Sequence, residues 1–373
     1  MKQVLITGAK GFIGRNFISF LKHIPDIELM EFDIGQTKDE LEQFLSKADI
    51  IFHLAGVNRP ERDEEFSEVN KGLTEEICEE LKKLDRTPKI VFSSSIQVER
   101  DNPYGRSKLA GEEVLKHFSK ANDAEVVIYR LKNVFGKWCR PNYNSAVATF
   151  CHNIARDLPI TISDPNNQVP LVYVDDVVTA FISELNKEDT SCSLRYKEVK
   201  PDFVITLGEL VKLLREFKAS RETLRLPKMN DPFISRLYAT YISYLAEDDF
   251  AYYLSAKPDD RGSLAEFIKS PYMGQIFVSR TKPGITRGNH YHHTKVEKFL
   301  VLDGKAIIRF KHIEDGELID YPISGEDYRV VDIPPGYTHS IENVGNTEMI
   351  VLFWAGELFD KDAPDTYAMP VIE

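Results

Sequence analysis

The stretch QVLITGAKGFIGRNF, residues 3–17, constrains this chain more than any other. A short apolar run rich in β-branched residues ends at Gly8, Gly11 and Gly14, spaced GxxGxxG, and the helical pattern GRNFISFLKHI follows at once. Glycines at that spacing let the backbone turn tightly and approach a pyrophosphate, which then rests on the positive end of the helix. The segments that follow keep the same rhythm. IELMEFD reads as a strand, KDELEQFLSKA as a helix, DIIFHLAG as a strand, FSEVNKGLTEEICEELKKL as a helix and KIVFSSS as a strand. Strand and helix in alternation predict an α/β fold, a doubly wound parallel sheet with right-handed crossovers and a dinucleotide at its first turn.

Near residue 247 the texture changes. GQIFVSR, EKFLVLDG, KAIIRFKHI, LIDYPIS, YRVVDIPPG and MIVLFWAG are short, β-rich and punctuated by turn residues, the pattern of an all-β sandwich or barrel. LPKMNDPFISRLYATYISYLAEDDF reads as helical and closes the first domain, giving domains 1–246 and 247–373. A chain of 373 residues is long enough for two cores. Its net charge of −12 argues against nucleic acid or an anionic membrane as a partner. No apolar run approaches the ~20 residues that cross a bilayer, and no signal-like segment precedes the first strand. Cys78, Cys139, Cys151 and Cys192 form no CxxC pair, so neither a disulfide framework nor a thiolate zinc cage is expected. A reducing cytoplasm is the expected compartment.

Two groups of residues carry chemistry. In SSSIQVERDNPYGRSK, Tyr104 and Lys108 are four apart and would share one helix face. A nearby ammonium lowers a phenol's pKa, which suits Tyr104 to proton transfer, and Ser95 at the preceding strand end can hydrogen-bond the same carbonyl oxygen. Asp33 ends the second strand, where an acid favours the ribose hydroxyls of NAD, while Lys38 just behind it could meet the 2′-phosphate of NADP. The choice stays open. In GITRGNHYHHTKVEKFLVLDG, His290 and His292 alternate on a strand and Glu297 follows a polar turn, with His339 in PPGYTHSIEN. Three imidazoles and a carboxylate suit Zn²⁺ or another first-row divalent ion.

TGAKGFIG, HLAG, SSS, YGRSK, RLKNVFG and YVDDV together resemble the extended short-chain dehydrogenase/reductase family, which has a Rossmann-type sheet, over roughly residues 1 to 246. The resemblance implies Ser95, Tyr104 and Lys108 as the catalytic set. It implies cofactor contacts from Gly8, Gly11, Phe12, Ile13, Gly14, Asp33, Leu54, Ala55 and Gly56, besides Tyr104 and Lys108. Asn70 matches an asparagine that supports the lysine, and Asn133 a residue of the sugar-nucleotide pocket. Arg140 is either a phosphate ligand or a surface residue. Ser95 precedes Tyr104 by only nine residues, and VER stands where relatives have VYG, so the substrate loop departs from the family pattern.

The second half resembles the cupin signature: Gly284, five residues, HxH, four residues, Glu297, six residues, Gly304, then Pro334-x-Gly336, His339 and Asn343. Tyr328 stands where a glycine is expected. DDRGSLAE, residues 259–266, is similar to the DxRGxFxE strand of the dTDP-sugar 3,5-epimerases and implies Arg261 as a phosphate ligand. Tyr291, His293, His312 and Tyr337 are unranked candidates for a general base.

Both halves point to a nucleotide-sugar bearing a ketone. Carbons beside a ketone are acidic, so inversion must precede the reduction that removes the acidity. As a whole the chain resembles bifunctional reductase–cupin enzymes of capsular-polysaccharide and O-antigen synthesis. That resemblance implies a UDP-4-keto-6-deoxy-HexNAc substrate, C3 epimerisation by the cupin, and C4 reduction with NADPH, NADH remaining possible because of Asp33. The implied product is UDP-2-acetamido-2,6-dideoxy-β-L-talose, on the route to UDP-N-acetyl-L-fucosamine, made by a homodimer joined through the cupin. Two rivals stand beside this: a 4-epimerase or dehydratase that retains NAD and carries a non-catalytic cupin, and a non-enzymatic nucleotide-sugar sensor. Ile96 and Gln97 after Ser95 count against a dehydratase, which commonly has Asp-Glu there.

Overall fold

The computed structural model describes residues 1–58, 62, 66, 68–186, 194–314 and 316–372; Cys192 lies outside them. The chain divides into two compact units, Met1–Arg215 with Arg236–Ala246, and Glu216–Ser235 with Glu247–Glu373. Residues 216–235 thus cluster with the second unit. The Leu224 carbonyl accepts from the Lys269 amide at 2.7 Å, and the Leu226 amide donates to the Lys269 carbonyl at 2.8 Å.

The first unit contains β1 (Lys2–Thr7), β2 (Ile27–Phe32), β3 (Ile50–His53), β4 (Lys89–Ser95), β5 (Val126–Leu131), β6 (Asn133–Phe135), β7 (Gln168–Tyr173), β8 (Leu194–Lys197) and β9 (Asp202–Thr206). Six of them form a sheet in the order β2-β1-β3-β4-β5-β8, parallel throughout. The expected doubly wound sheet is therefore present. Its strands are apolar on both sides because each face is covered. Val4, Ile6, Ile50, Phe52, Val91 and Val127 enter one core, while their neighbours Leu5, Ile51, Ile90, Phe92 and Val126 enter the other. Phe52 is fully buried, edge-on to Phe17 with centroids 4.5 Å apart. Truncating such a residue to alanine costs about 3–5 kcal/mol. A small sheet, β6-β7-β9, stands beside the main one.

The second unit is entirely β apart from short helical pieces. It contains β10 (Ala256–Asp259), β11 (Gly262–Ser270), β12 (Gly274–Thr281), β13 (Thr286–Tyr291), β14 (Glu297–Asp303), β15 (Lys305–His312), β16 (Ile319–Ser324), β17 (Val330–Ile333), β18 (Tyr337–Asn343), β19 (Met349–Ala355) and β20 (Tyr367–Ala368). They form two antiparallel sheets, β10-β11-β12-β19-β14-β17 and β16-β15-β18-β13-β20. Phe299, Val301, Ile308, Phe310, Ile341 and Phe353 fill the core between them. Among the described residues no helix is long and apolar enough to cross a membrane.

Candidate active and metal sites

In the first unit, the glycine loop is built by backbone crowding. Gly8 has φ +73°, and a Cβ there would stand 2.7 Å from the Ala55 backbone; one on Gly14 would stand 2.2 Å from the Gly8 carbonyl oxygen. The loop therefore presses directly on the start of the Phe12–Leu21 helix, whose N-terminus has no side-chain cap and so turns its first amides to an anion. That is the fit expected for a dinucleotide. Asp33 follows the end of β2 and accepts the Lys10 amide at 2.6 Å and the Ile34 amide at 2.7 Å. Lys38 pairs with Glu76 at 2.8 Å.

The helix Pro103–Asn122 carries Tyr104 and Lys108. Asn102 caps it by accepting the Gly105 amide at 2.8 Å. A Cβ on Gly105 would lie 2.1 Å from the Gln97 carbonyl oxygen. Only glycine lets the helix start so close to the turn after Ser95, which is how a nine-residue spacing still brings Ser95 to Tyr104. The two side chains are hydrogen-bonded, yet burial dominates and pushes the phenol up to about 12. The expected lowering by Lys108 is absent here. Lys108 is 4% exposed and donates to the Ser93 carbonyl at 3.0 Å. Its own ammonium is pulled down to about 8, first by burial, with Glu112 opposing.

Asn70 lies in a single π-helical turn, Glu68–Gly72, a feature frequent at functional sites. Its amide donates to the Val57 carbonyl and to Ser107 Oγ, each at 2.9 Å, and its oxygen accepts the Val57 amide at 2.8 Å. A Cβ on Gly56 would lie 2.9 Å from both Asn70 Oδ1 and Lys108 Nζ, so a bare glycine separates the two.

One cavity of about 980 Å³ joins these parts. Gly8, Gly11, Phe12, Ile13, Gly14, Leu54 and Gly56 line it together with Ser95, Tyr104 and Lys108. Asn133 and Arg140 line it as well, with Arg100, His152 and Arg156, which no sequence motif marks. Asn133 donates to the Pro170 carbonyl at 2.9 Å, and the Arg140 guanidinium lies 5.2 Å from the Tyr143 ring centroid.

In the second unit, His290, His292, Glu297 and His339 converge, with one ligand atom from each lying within 4.8 Å of all the others. A bulge between Gly288 and His290 sets the pairing of His290 with His339, and Gly288 at φ +93° supplies the conformation it needs. His292 stands just beyond the end of β13, not on it. His292 and His339 are 1% and 0% exposed. Their Nε2 atoms are buried without a hydrogen-bond partner among the described residues, at 3.3 and 3.5 Å from the Glu297 carboxylate. Burial first, then its imidazole neighbours, lowers His290 to about 4, so its imidazole is neutral. Orphaned imidazole nitrogens around a carboxylate fit a divalent ion.

Arg261 does not join this group. It is bound to Asp259 at 2.6 Å. Glu297 aligns with Ala355, which aligns with Gln275, whereas Gly262 aligns with Thr281 six residues along β12. That offset is about 20 Å of strand. Among the base candidates, Tyr291 stacks on Tyr367 and His293 meets the same ring edge-on. Tyr337 packs on the inner core and shares the alternation of His339, and His312, paired opposite it, lies 5.1 Å away ring to ring. Asp365, which no motif signalled, touches the turn between His292 and Glu297.

Comparison with known proteins follows the same division. Residues 4–196 match the NAD dependent epimerase/dehydratase family, and residues 257–367 match the polysaccharide biosynthesis C-terminal domain. The chain is 45% identical over 372 residues to UDP-2-acetamido-2,6-beta-L-arabino-hexul-4-ose reductase of Pseudomonas aeruginosa, covering 100% of this chain and 99% of that one. It is similar to the crystal structure of the capsular polysaccharide assembling protein CapF from Staphylococcus aureus, at 48% identity and TM-score 0.91, covering 99% of this chain and 100% of that one. CapF with the inhibitor 3-isopropenyl-tropolone matches at 43% identity and TM-score 0.86, over 99% of each chain.

Proposed function

This chain belongs to the NAD-dependent epimerase/dehydratase family and is CapF-like over its full length, and we propose that it performs two steps on one UDP-4-keto-6-deoxy-HexNAc. The second unit inverts C3; the first then reduces the C4 ketone with NADPH to UDP-2-acetamido-2,6-dideoxy-β-L-talose. The single observation that carries the reading is the cleft in which the glycine loop, Ser95–Tyr104–Lys108 and the arginines Arg100, Arg140 and Arg156 share one space. The full-length match to a UDP-4-ketosugar reductase supports the substrate class.

The dinucleotide, when bound, supplies the hydride, and a divalent ion held by His290, His292, Glu297 and His339 supplies positive charge. The rest falls to the chain. Ser95 and the Tyr104 hydroxyl hold the ketone oxygen from one side. A phenol raised to about 12 by burial stays protonated, which is the form a reduction needs, since oxygen gains negative charge as its carbon is reduced. Lys108 brings a cation beside that developing charge, and Asn70 braces the wall behind Gly56. Arg140 and its cationic neighbours hold the diphosphate. In the second unit His312, on the same inner face as His339, takes the C3 proton from one face, and a solvent-derived proton added to the other face of the enolate completes the inversion. The assembly is a homodimer through the second unit.

The test is direct. The purified chain, given that keto-sugar and NADPH, should consume the reductant stoichiometrically and form the talo product, identified by NMR. Tight retention of NAD with no net NADPH consumption would favour the 4-epimerase reading instead.

A further inference from the structure

The four converging side chains come from β13, the turn after it, β14 and β18, and among the described residues none of these strands hydrogen-bonds His292 Nδ1. One short stretch near the C-terminus does. The Asp365 backbone carbonyl accepts His292 Nδ1 at 2.5 Å. A carbonyl can only accept, so the proton is on Nδ1 and the Nε2 lone pair faces Glu297. The Asp365 carboxylate accepts the amides of His293, Thr294 and Lys295 at 2.9, 2.8 and 2.8 Å, and the Thr294 hydroxyl at 2.9 Å. These are the residues that lead from His292 to Glu297.

The same stretch reaches the other two ligands. Ala368 pairs with His290 in the sheet, so the strand carrying His290 is not an edge. The Met369 amide donates to the Asn289 carbonyl at 2.9 Å, and the Val371 amide to Asn289 Oδ1 at 3.2 Å. Thr338, next to His339, donates its hydroxyl to the Met369 carbonyl. Lys295 Nζ donates to Thr366 at 3.0 Å and lies 3.8 Å from Glu297. Seven residues thus contact His292 and His290 and the neighbour of His339, and reach Glu297 through Lys295.

We propose that residues 365–371 form a strap that preorganises the metal site, with Asp365 as its positioning residue. The strap fixes the imidazole tautomer and the His293–Lys295 turn before any ion arrives. Removing it makes binding supply that ordering, which weakens affinity. The inference rests on reading the cluster as a metal site.

The experiment uses the full chain, stripped of metal, and Zn²⁺ in competition with a chromophoric chelator. Asp365→Ala should bind Zn²⁺ about 10- to 100-fold more weakly than wild type, and saturating Zn²⁺ should restore the second unit's melting temperature. Asp365→Asn, which keeps an acceptor but loses the charge, should fall between and serves if the alanine variant does not fold. Asp362→Asn, in the same tail, where the Asp362 amide donates to Asp360 and its side chain makes no bond to the cluster among the described residues, should match wild type. Wild-type affinity in both Asp365 variants overturns the strap. Absence of Zn²⁺ binding by the wild type removes the metal reading itself, and the strap with it.

Discussion

Lys108 should destabilise the protein that it serves. It is 4% exposed, with a single carbonyl bond at 3.0 Å, and its ammonium falls from 10.5 to about 8, chiefly by burial. At about 1.4 kcal/mol per tenfold change in proton affinity, keeping it charged near pH 7 costs the cofactor-free fold about 3 kcal/mol. The native chain sheds its proton near pH 8 while the unfolded chain keeps one to above pH 10, so stability rises with pH in that window. At pH 9.5 the remaining cost is roughly 1.5 kcal/mol. Lys108→Met removes the charge and forfeits one hydrogen bond, about 1 kcal/mol. The variant should therefore be about 2 kcal/mol more stable than wild type at pH 7 and nearly equal to it at pH 9.5, although inactive as a reductase. The chain has two tryptophans, and replacing Trp354 by Phe in both proteins leaves Trp138 to report urea unfolding of the first unit. A variant no more stable at pH 7, or an advantage that does not shrink as pH rises, would refute the reasoning.

Other outcomes follow from the same geometry. Tyr104→Phe removes the proton donor and should slow NADPH oxidation by about 10²- to 10⁴-fold, with NADPH affinity by fluorescence unchanged. Gly14→Ala places a methyl carbon 2.2 Å from the Gly8 carbonyl oxygen. The loop must shift, and a displacement of about 1 Å costs on the order of 100-fold in kcat/KM; weakened NADPH binding should show it, and normal binding would contradict it. His312→Gln should cut solvent-deuterium uptake at C3 by about 10²- to 10⁴-fold at wild-type zinc content, and an unaltered rate would exclude His312 as the base.

Much of this was legible because the chemistry needs local sequence. The glycine loop, the i, i+4 pair of Tyr104 and Lys108, and the HxH pattern each occupy a few adjacent residues, and the structure brings the members of each set together, although His292 stands beyond the strand on which alternation placed it. The family resemblance was borne out over the whole chain. What escaped was set by distant packing. The phenol rises because burial outweighs its hydrogen bond to Ser95, while the cation that spacing alone made dominant adds no lowering. Arg261 carries a family motif, yet strand register leaves it beside Asp259, well along the sheet from the histidines. Asp365 lies 73 residues from His292, and a lone aspartate in a turn-rich tail gives no signal. Residues 216–235 read as the end of one unit because their helical texture continues, while their backbone pairs with β11 of the other.

The most direct measurement of the central claim is deuterium uptake in D₂O by the full-length Tyr104→Phe protein given the 4-keto substrate and NADPH. The account predicts that the recovered ketone carries deuterium at C3 while NADPH stays unoxidised, and that wild type yields a C3-deuterated alcohol. Reduction by wild type without deuterium at C3 would contradict it, leaving a reductase whose second unit takes no part in the chemistry.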